Sequence, residues 1–200
     1  LAKQNQLEIH VVGISNSRKM LFNEDGLKFT EAVNELLASN EEMNLNVFMG
    51  TMIAMNLSNS IFVDCTSSEE VTGFYESILS SNISIATPNK KANSGSYQKY
   101  QTLRAAAKKR GVKFLFETNV GAGLPVINTL NDLLISGDKV IGIEAVLSGT
   151  LNYIFSSYKK GDRFSDVVKQ AKEKGYTEPD PRDDLNGMDV ARKILILSRE

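Results

Sequence analysis

The chain has 200 residues, 42% of them hydrophobic, with 23 basic against 24 acidic side chains and a formal net charge of -1. That composition supplies apolar material for a real core and excludes a disordered chain, and the balanced charge gives no electrostatic footprint for nucleic acid or an anionic membrane. A single cysteine, Cys65, excludes an internal disulfide framework and is read as a reducing, cytoplasmic setting, although one cysteine is compatible with other compartments.

No apolar run approaches the roughly 20 residues that cross a bilayer, and Leu1 to Leu7 lacks the charged-then-apolar order of a signal peptide. The chain opens without a methionine and closes on Ile194 to Glu200, inside what reads as a helix. It is therefore expected to be a stretch of a longer polypeptide.

In chain order, Leu7 to Ser15 (LEIHVVGIS) predicts a strand rich in branched residues and buried on both faces. A loop containing Asp25 and Gly26 follows, then a helix carrying Phe29, Val33, Leu36 and Leu37, and an amphipathic stretch from Glu41 to Asn56. Ile61 to Cys65 is the next strand, and the helix after it carries Val71, Phe74, Tyr75, Ile78 and Leu79. Ile83 to Thr87 is a strand, Ser96 to Arg110 a helix and Lys113 to Phe116 a strand. From Asn119 the texture changes: a glycine-rich loop, a helix over Val126 to Leu134 and a long strand, Val140 to Leu147. Helices are expected at Leu151 to Tyr158, at Phe164 to Lys174 and from Asp184 to the end.

Short strands alternating with helices predict an α/β fold with a parallel, doubly wound, Rossmann-like sheet, here over residues 1-118, followed by an α+β unit over residues 119-200. In such folds ligands sit at the carboxyl ends of the strands. That rule points to residues 15-19, 66-68, 87-91 and 117-124.

Four groups in these places could carry chemistry. In Cys65 to Glu69 the hydroxyls of Thr66, Ser67 and Ser68 suit a helix N-cap, a cofactor crevice, or both. In Thr87 to Asn93, Lys90 and Lys91 are either a solvated pair or ammonium groups placed for an anionic ligand. Glu117 to Pro125 (ETNVGAGLP) is either a turn feeding a helix, with Pro125 near its first position, or a loop whose carbonyls and carboxylate gather on a hard cation. It is not a GxGxxG phosphate loop, because the third glycine is missing and it follows a late strand. In Gly175 to Lys193 two prolines and several carboxylates make an ordered loop, Asp184 is placed to cap a helix, and Asp189 and Lys193 stand four apart on one face. Such a pair is either solvated or partly buried, and a buried one would hold an amine able to protonate a developing alkoxide.

The stretch AKEKGYTEPDPRDDLNGMDVARK, Ala171 to Lys193, resembles the signature of the homoserine dehydrogenases along its whole length. VDCTSS at Val63 to Ser68, ATPNKKAN at Ala86 to Asn93 and NVGAGLP at Asn119 to Pro125 are also similar to that family, and together these cover nearly the whole chain. The opening, VVGISNSRKM and the following DGLKF, is more similar to the dehydrogenase part of bifunctional aspartokinase/homoserine dehydrogenases than to the short monofunctional forms.

The resemblance implies reversible NAD(P)H-dependent reduction of aspartate 4-semialdehyde to homoserine, in a homodimer or higher homo-oligomer. It implies Lys193 as proton donor, Glu178 and Asp189 as the carboxylates that hold the substrate ammonium, and Asp184 as a further carboxylate near the substrate. Thr66, Lys90 and Gly175 match cofactor contacts, with Ser67 beside them. Arg18, paired with Lys19 after the first strand, would either hold the 2'-phosphate of NADP or be solvated. Glu117, Val120, Ala122 and Leu124 match ligands of a sodium ion, mostly through backbone oxygens.

One departure matters. The family's opening strand and GxGxxG-type turn are not in this sequence, Leu1 to Gln4 looks like the tail of the helix that follows them, and the family's closing segment is also missing. These residues alone are therefore expected to be inactive. An oxidoreductase acting on another amino-acid-derived aldehyde is the competing reading, and a regulatory or oligomerisation module is a second. A change of substrate should alter Glu178 or Asp189, and an intact Lys193 argues against loss of turnover.

Overall fold

The computed structural model describes residues 6-200, so the reading of Leu1 to Gln4 lies outside the described residues. The chain divides into two compact units, Leu1–Ser60 and Ile61–Glu200.

In the first unit β1 (Val11–Ser15) and β2 (Met20–Leu27) form an antiparallel hairpin that pairs Gly13 with Phe22 and Ser15 with Met20. Gly13 is required by space, since a Cβ there would stand 2.5 Å from the Phe22 ring. Helices α1 (Ala32–Ala38) and α2 (Leu45–Ala54) follow, the second capped by Asn44, whose side chain accepts the Val47 N–H at 3.1 Å. Met20, Leu27, Ala32, Leu36, Phe48 and Met49 are buried, with the Phe22 and Phe48 rings 4.7 Å apart.

Two expectations fail in this unit. The first strand is shorter than Leu7 to Ser15 and only half-buried, because among the described residues its one strand partner is β2. The expected loop around Asp25 and Gly26 is instead part of β2, with Asn23, Glu24 and Asp25 exposed while Met20 and Leu27 turn inward.

The second unit holds three parallel strands, β3 (Ile61–Val63), β4 (Ser84–Ala86) and β5 (Phe114–Leu115), in the order β3-β4-β5. Helices α3 (Glu69–Thr72) and α4 (Tyr75–Ser80) connect the first two strands, and α5 (Tyr97–Arg110) connects the last two. Parallel pairing puts all three carboxyl ends on one edge. The Ser96 hydroxyl caps α5 by accepting the Lys99 N–H at 3.2 Å, and Lys108, Lys109 and Arg110 close it where the helix dipole favours cations. Ile78, Leu79, Ile85, Leu103 and Phe114 fill the core between sheet and helices, with Tyr75 edge-on to Phe62 and Phe114.

A 3-10 turn (Glu117–Asn119) leads into α6 (Val126–Ile135), α7 (Gly149–Ser157), α8 (Phe164–Glu173), α9 (Pro181–Leu185) and α10 (Met188–Arg199). Ile154 of α7 packs with Val167 and Ala171 of α8 as a separate small core. The predicted strand Val140 to Leu147 does not form: Val140, Ile141, Ile143 and Val146 are exposed, and no described strand bonds to the segment. Branched residues favour extended backbone, but a strand needs a neighbour to take its N–H and C=O groups. The predicted last helix is broken at Asn186 and Gly187, and Gly187 sits at φ +70, which glycine adopts without the steric cost other residues meet.

Candidate active site

Thr66 and Ser67 lie exposed just past the end of β3. Ser68 supplies the N-cap of α3 by accepting the Val71 N–H at 3.4 Å, so capping falls to this third hydroxyl. The Thr66 hydroxyl accepts the Ser68 N–H at 3.1 Å and keeps its own proton to donate. Past the end of β4, Lys90 is half-buried and Lys91 follows it.

Helix α10 brings its lysine into the same group. Lys193 Nζ lies 2.7 Å from Asp189 Oδ2, and Lys90 Nζ lies 3.2 Å from Asp189 Oδ1, so one carboxylate separates two ammonium groups. Lys193 also donates to the Leu147 carbonyl at 2.8 Å. Its side chain is 19% exposed, so this i,i+4 pair is the partly buried kind. Burial acts to raise the Asp189 pKa, but the Lys193 hydrogen bond and the Lys90 charge outweigh it and leave the carboxyl below its ordinary range. The helix is tied to the Lys90 turn further along, where Arg192 donates to Ser94 Oγ at 2.8 Å and Arg199 to the carbonyls of Asn93 and Gly95. Sequence reasoning missed both arginines.

Glu178 is exposed, and its backbone N–H donates to Asp184 Oδ2 at 2.8 Å. Asp184 therefore braces the Glu178 loop, and the expectation that it caps a helix is not met. The cap of α9 is Asp180, which accepts the Arg182 N–H and pairs with its guanidinium, holding its pKa down at about 2. Gly175 is exposed just past α8, at φ +73. In the first unit, Arg18 is exposed beyond β1 and its N–H donates to Asn16 Oδ1 at 2.8 Å.

The glycine-rich loop is bonded to the start of α6. The Glu117 carboxylate accepts the N–H groups of Ile127 and Asn128, each at 2.8 Å, and so caps the free donors at the start of α6. The Leu124 carbonyl accepts the Val126 N–H at 2.9 Å, while Val120 is buried and Ala122 exposed. Among the described residues no three His, Cys, Asp or Glu side chains are grouped to hold a metal.

In the segments that follow β4 and β5, the side-chain amides of Asn93 and Asn119 are fully buried and have no partner among the described residues. Unbonded buried amides leave capacity for a polar group. With exposed hydroxyls and an ammonium at adjoining strand ends, the residues fit a dinucleotide with a polar nicotinamide.

Parallel strands with such loops at one edge are the architecture of a Rossmann-like, dinucleotide-binding unit. Residues 1–117 match the family model for the NAD-binding domain of homoserine dehydrogenase, and residues 125–200 the model for homoserine dehydrogenase itself. The chain belongs to the homoserine dehydrogenase family. It is 47% identical over 200 residues to the bifunctional aspartokinase/homoserine dehydrogenase of Haemophilus influenzae, covering all of this chain and 24% of that protein. The homoserine dehydrogenase of Schizosaccharomyces pombe is 56% identical over 145 residues, 70% of this chain and 39% of that one. A hyperthermophilic archaeal homoserine dehydrogenase, solved in complex with NADPH, matches 96% of this chain and 60% of its own at TM-score 0.77 and 27% identity. The chain thus spans about a quarter of the length of the bifunctional relative. No helix among the described residues is long and apolar enough to cross a membrane.

Proposed function

We propose that this chain is the greater part of the cofactor- and substrate-binding region of a homoserine dehydrogenase, with residues 1-118 serving the dinucleotide and residues 119-200 the substrate. The observation that carries this reading is the row Lys90, Asp189, Lys193, with contacts of 3.2 and 2.7 Å, within the unit that holds the parallel strand ends. Thr66, Ser67, Lys90 and Gly175 would hold NADP or NAD. When bound, the nicotinamide supplies the hydride for aldehyde reduction.

Lys193 gives its proton to the aldehyde oxygen of aspartate 4-semialdehyde as charge develops there. Asp189 and the Leu147 carbonyl fix the amine, so that little ordering remains for the reacting complex. Each Asp189 oxygen already faces a lysine. Selection of the substrate ammonium therefore rests more on Glu178, whose loop Asp184 braces. A sodium ion on Glu117, Val120, Ala122 and Leu124 would share the Glu117 carboxylate and the Leu124 carbonyl with backbone N–H donors. No step is routed through it. A homo-oligomer and a fused aspartokinase region belong to the same proposal.

The test is turnover by the intact protein with L-homoserine and either NADP or NAD. Formation of reduced coenzyme supports the reading. Its absence with both coenzymes, while another amino-acid-derived aldehyde is turned over, assigns the site to that other substrate.

A further inference from the structure

Beneath the two proposed cofactor loops lies a carboxylate that the reaction does not use. Asp64 directly follows β3, is 2% exposed, and has three neutral donors on three separate segments. Thr66 N donates to its Oδ1 at 2.7 Å, while Tyr75 Oη and Asn89 Nδ2 donate to its Oδ2 at 2.6 and 3.1 Å. Asn89 Nδ2 also donates to the Ser68 carbonyl at 2.9 Å, and Asn89 Oδ1 accepts the Lys91 N–H at 3.1 Å. Thr87 closes the network, its hydroxyl donating to the Asp64 carbonyl at 2.9 Å and accepting the Asn89 N–H at 2.9 Å.

Core filling does not account for this arrangement. An apolar residue of similar volume fills a core without the cost of desolvating a carboxylate, which is recovered only when every lone pair finds a donor. Here the donors come from the residues that shape the ligand edge: Thr66 is itself a proposed cofactor contact, and Asn89 adjoins Lys90. Loops more than twenty residues apart are thereby joined into one rim, ordered before any ligand arrives. A rim already ordered binds with a smaller entropic cost. Burial and the Asp64 hydrogen bond push the Tyr75 phenol well up, so it remains a donor across the working pH range.

We propose that Asp64, braced by Tyr75, is a positioning residue for nicotinamide-cofactor binding that acts through the Thr66 N–H and the Asn89 side chain to hold Thr66 and Lys90 in fixed relation. This rests on the assignment of Thr66 and Lys90 to the cofactor. The experiment compares Asp64→Asn and Tyr75→Phe with the unaltered intact protein, reading NADPH and NADH dissociation constants, KM for homoserine, and thermal midpoint. Loss of one hydrogen bond to a charged group corresponds to about tenfold in an equilibrium constant. Asp64→Asn should therefore weaken dinucleotide binding about tenfold or more and Tyr75→Phe by a smaller factor, with KM for homoserine within about twofold, since the substrate carboxylates are untouched. A lowered thermal midpoint with unchanged dissociation constants makes the network purely structural and overturns the inference. Tyr75→Phe keeps the ring against Phe62 and Phe114 and carries the comparison if Asp64→Asn does not fold. If the unaltered protein binds neither dinucleotide, the cofactor reading itself fails; if it binds one and both variants bind it equally well, only the role of Asp64 fails.

Discussion

Asp189 accepts from Lys193 at 2.7 Å on one oxygen and faces Lys90 at 3.2 Å on the other, so a residue of the loop after β4 and a residue of α10 meet on one carboxylate. Two cations around one anion leave a net positive place, suited to an oxygen on which negative charge develops during reduction. The geometry also divides labour among the acids. Asp189 faces both lysines, and in the proposed site Glu178 is the acid assigned to the substrate ammonium.

Glu178→Gln keeps the side chain's size and removes its charge. KM for homoserine should rise about tenfold or more, because a charge-assisted contact is lost, while dinucleotide affinity stays the same. Steady-state kinetics with each substrate varied in turn checks this. A fall in cofactor affinity at constant homoserine KM would place Glu178 in the nucleotide site.

Glu117→Gln bears on the glycine-rich loop. The neutral amide keeps one acceptor for two N–H groups of α6 and loses the favourable charge at a helix start, which should cost about 1 kcal/mol. The loss should be the same in sodium and in sodium-free potassium buffer. A thermal midpoint that depends on sodium in the unaltered protein, and no longer does in the variant, would restore the cation site.

The alkaline limb of stability follows from Tyr75 and Tyr100. Burial raises both pKa values, that of Tyr100 to about 12 from an ordinary 10.0. A group whose folded pKa is raised contributes fully below its unfolded pKa and loses that contribution as pH rises toward the folded one. Urea midpoints should therefore fall between about pH 10 and 12, and fall less steeply in Tyr75→Phe. Equal slopes in the two proteins would show that Tyr75 titrates freely when folded.

Ile154→Ala tests the small core of the last segment. Ile154 is fully buried against Val167 and Ala171, and truncation should cost about 2 to 5 kcal/mol. A denaturant titration that shows a shift well below that range would mean the α7 and α8 pair relaxes around the cavity.

Much of this was legible in the sequence because strand ends announce themselves. Branched runs ending in VDCTSS and ATPNKK mark where β3 and β4 stop, and the spacing of Asp189 and Lys193 puts them on one helical face. The hairpin strand β2 was hidden because MLFNEDGL carries three residues typical of turns, Asn23, Asp25 and Gly26, although only one face of a hairpin strand needs to be apolar. Val140 to Leu147 misled in the opposite sense, since propensity describes a residue and pairing describes its neighbours. Asp64 sent one signal, an acid at the end of an apolar strand, but its partners Tyr75 and Asn89 lie 11 and 25 positions away and only the fold brings them together. A separation of 10 and 11 positions likewise hid the part Glu117 plays in capping α6.

The most direct test of the proton-donor assignment is the rate of aspartate 4-semialdehyde reduction by Lys193→Ala beside the unaltered intact protein at saturating coenzyme. Removing a general acid should lower kcat about 10²- to 10⁴-fold, with coenzyme affinity little changed because Thr66 and Ser67 are untouched. Unchanged turnover in the variant would contradict the role given to Lys193 and with it the reading of the Lys90, Asp189 and Lys193 row as the centre of catalysis.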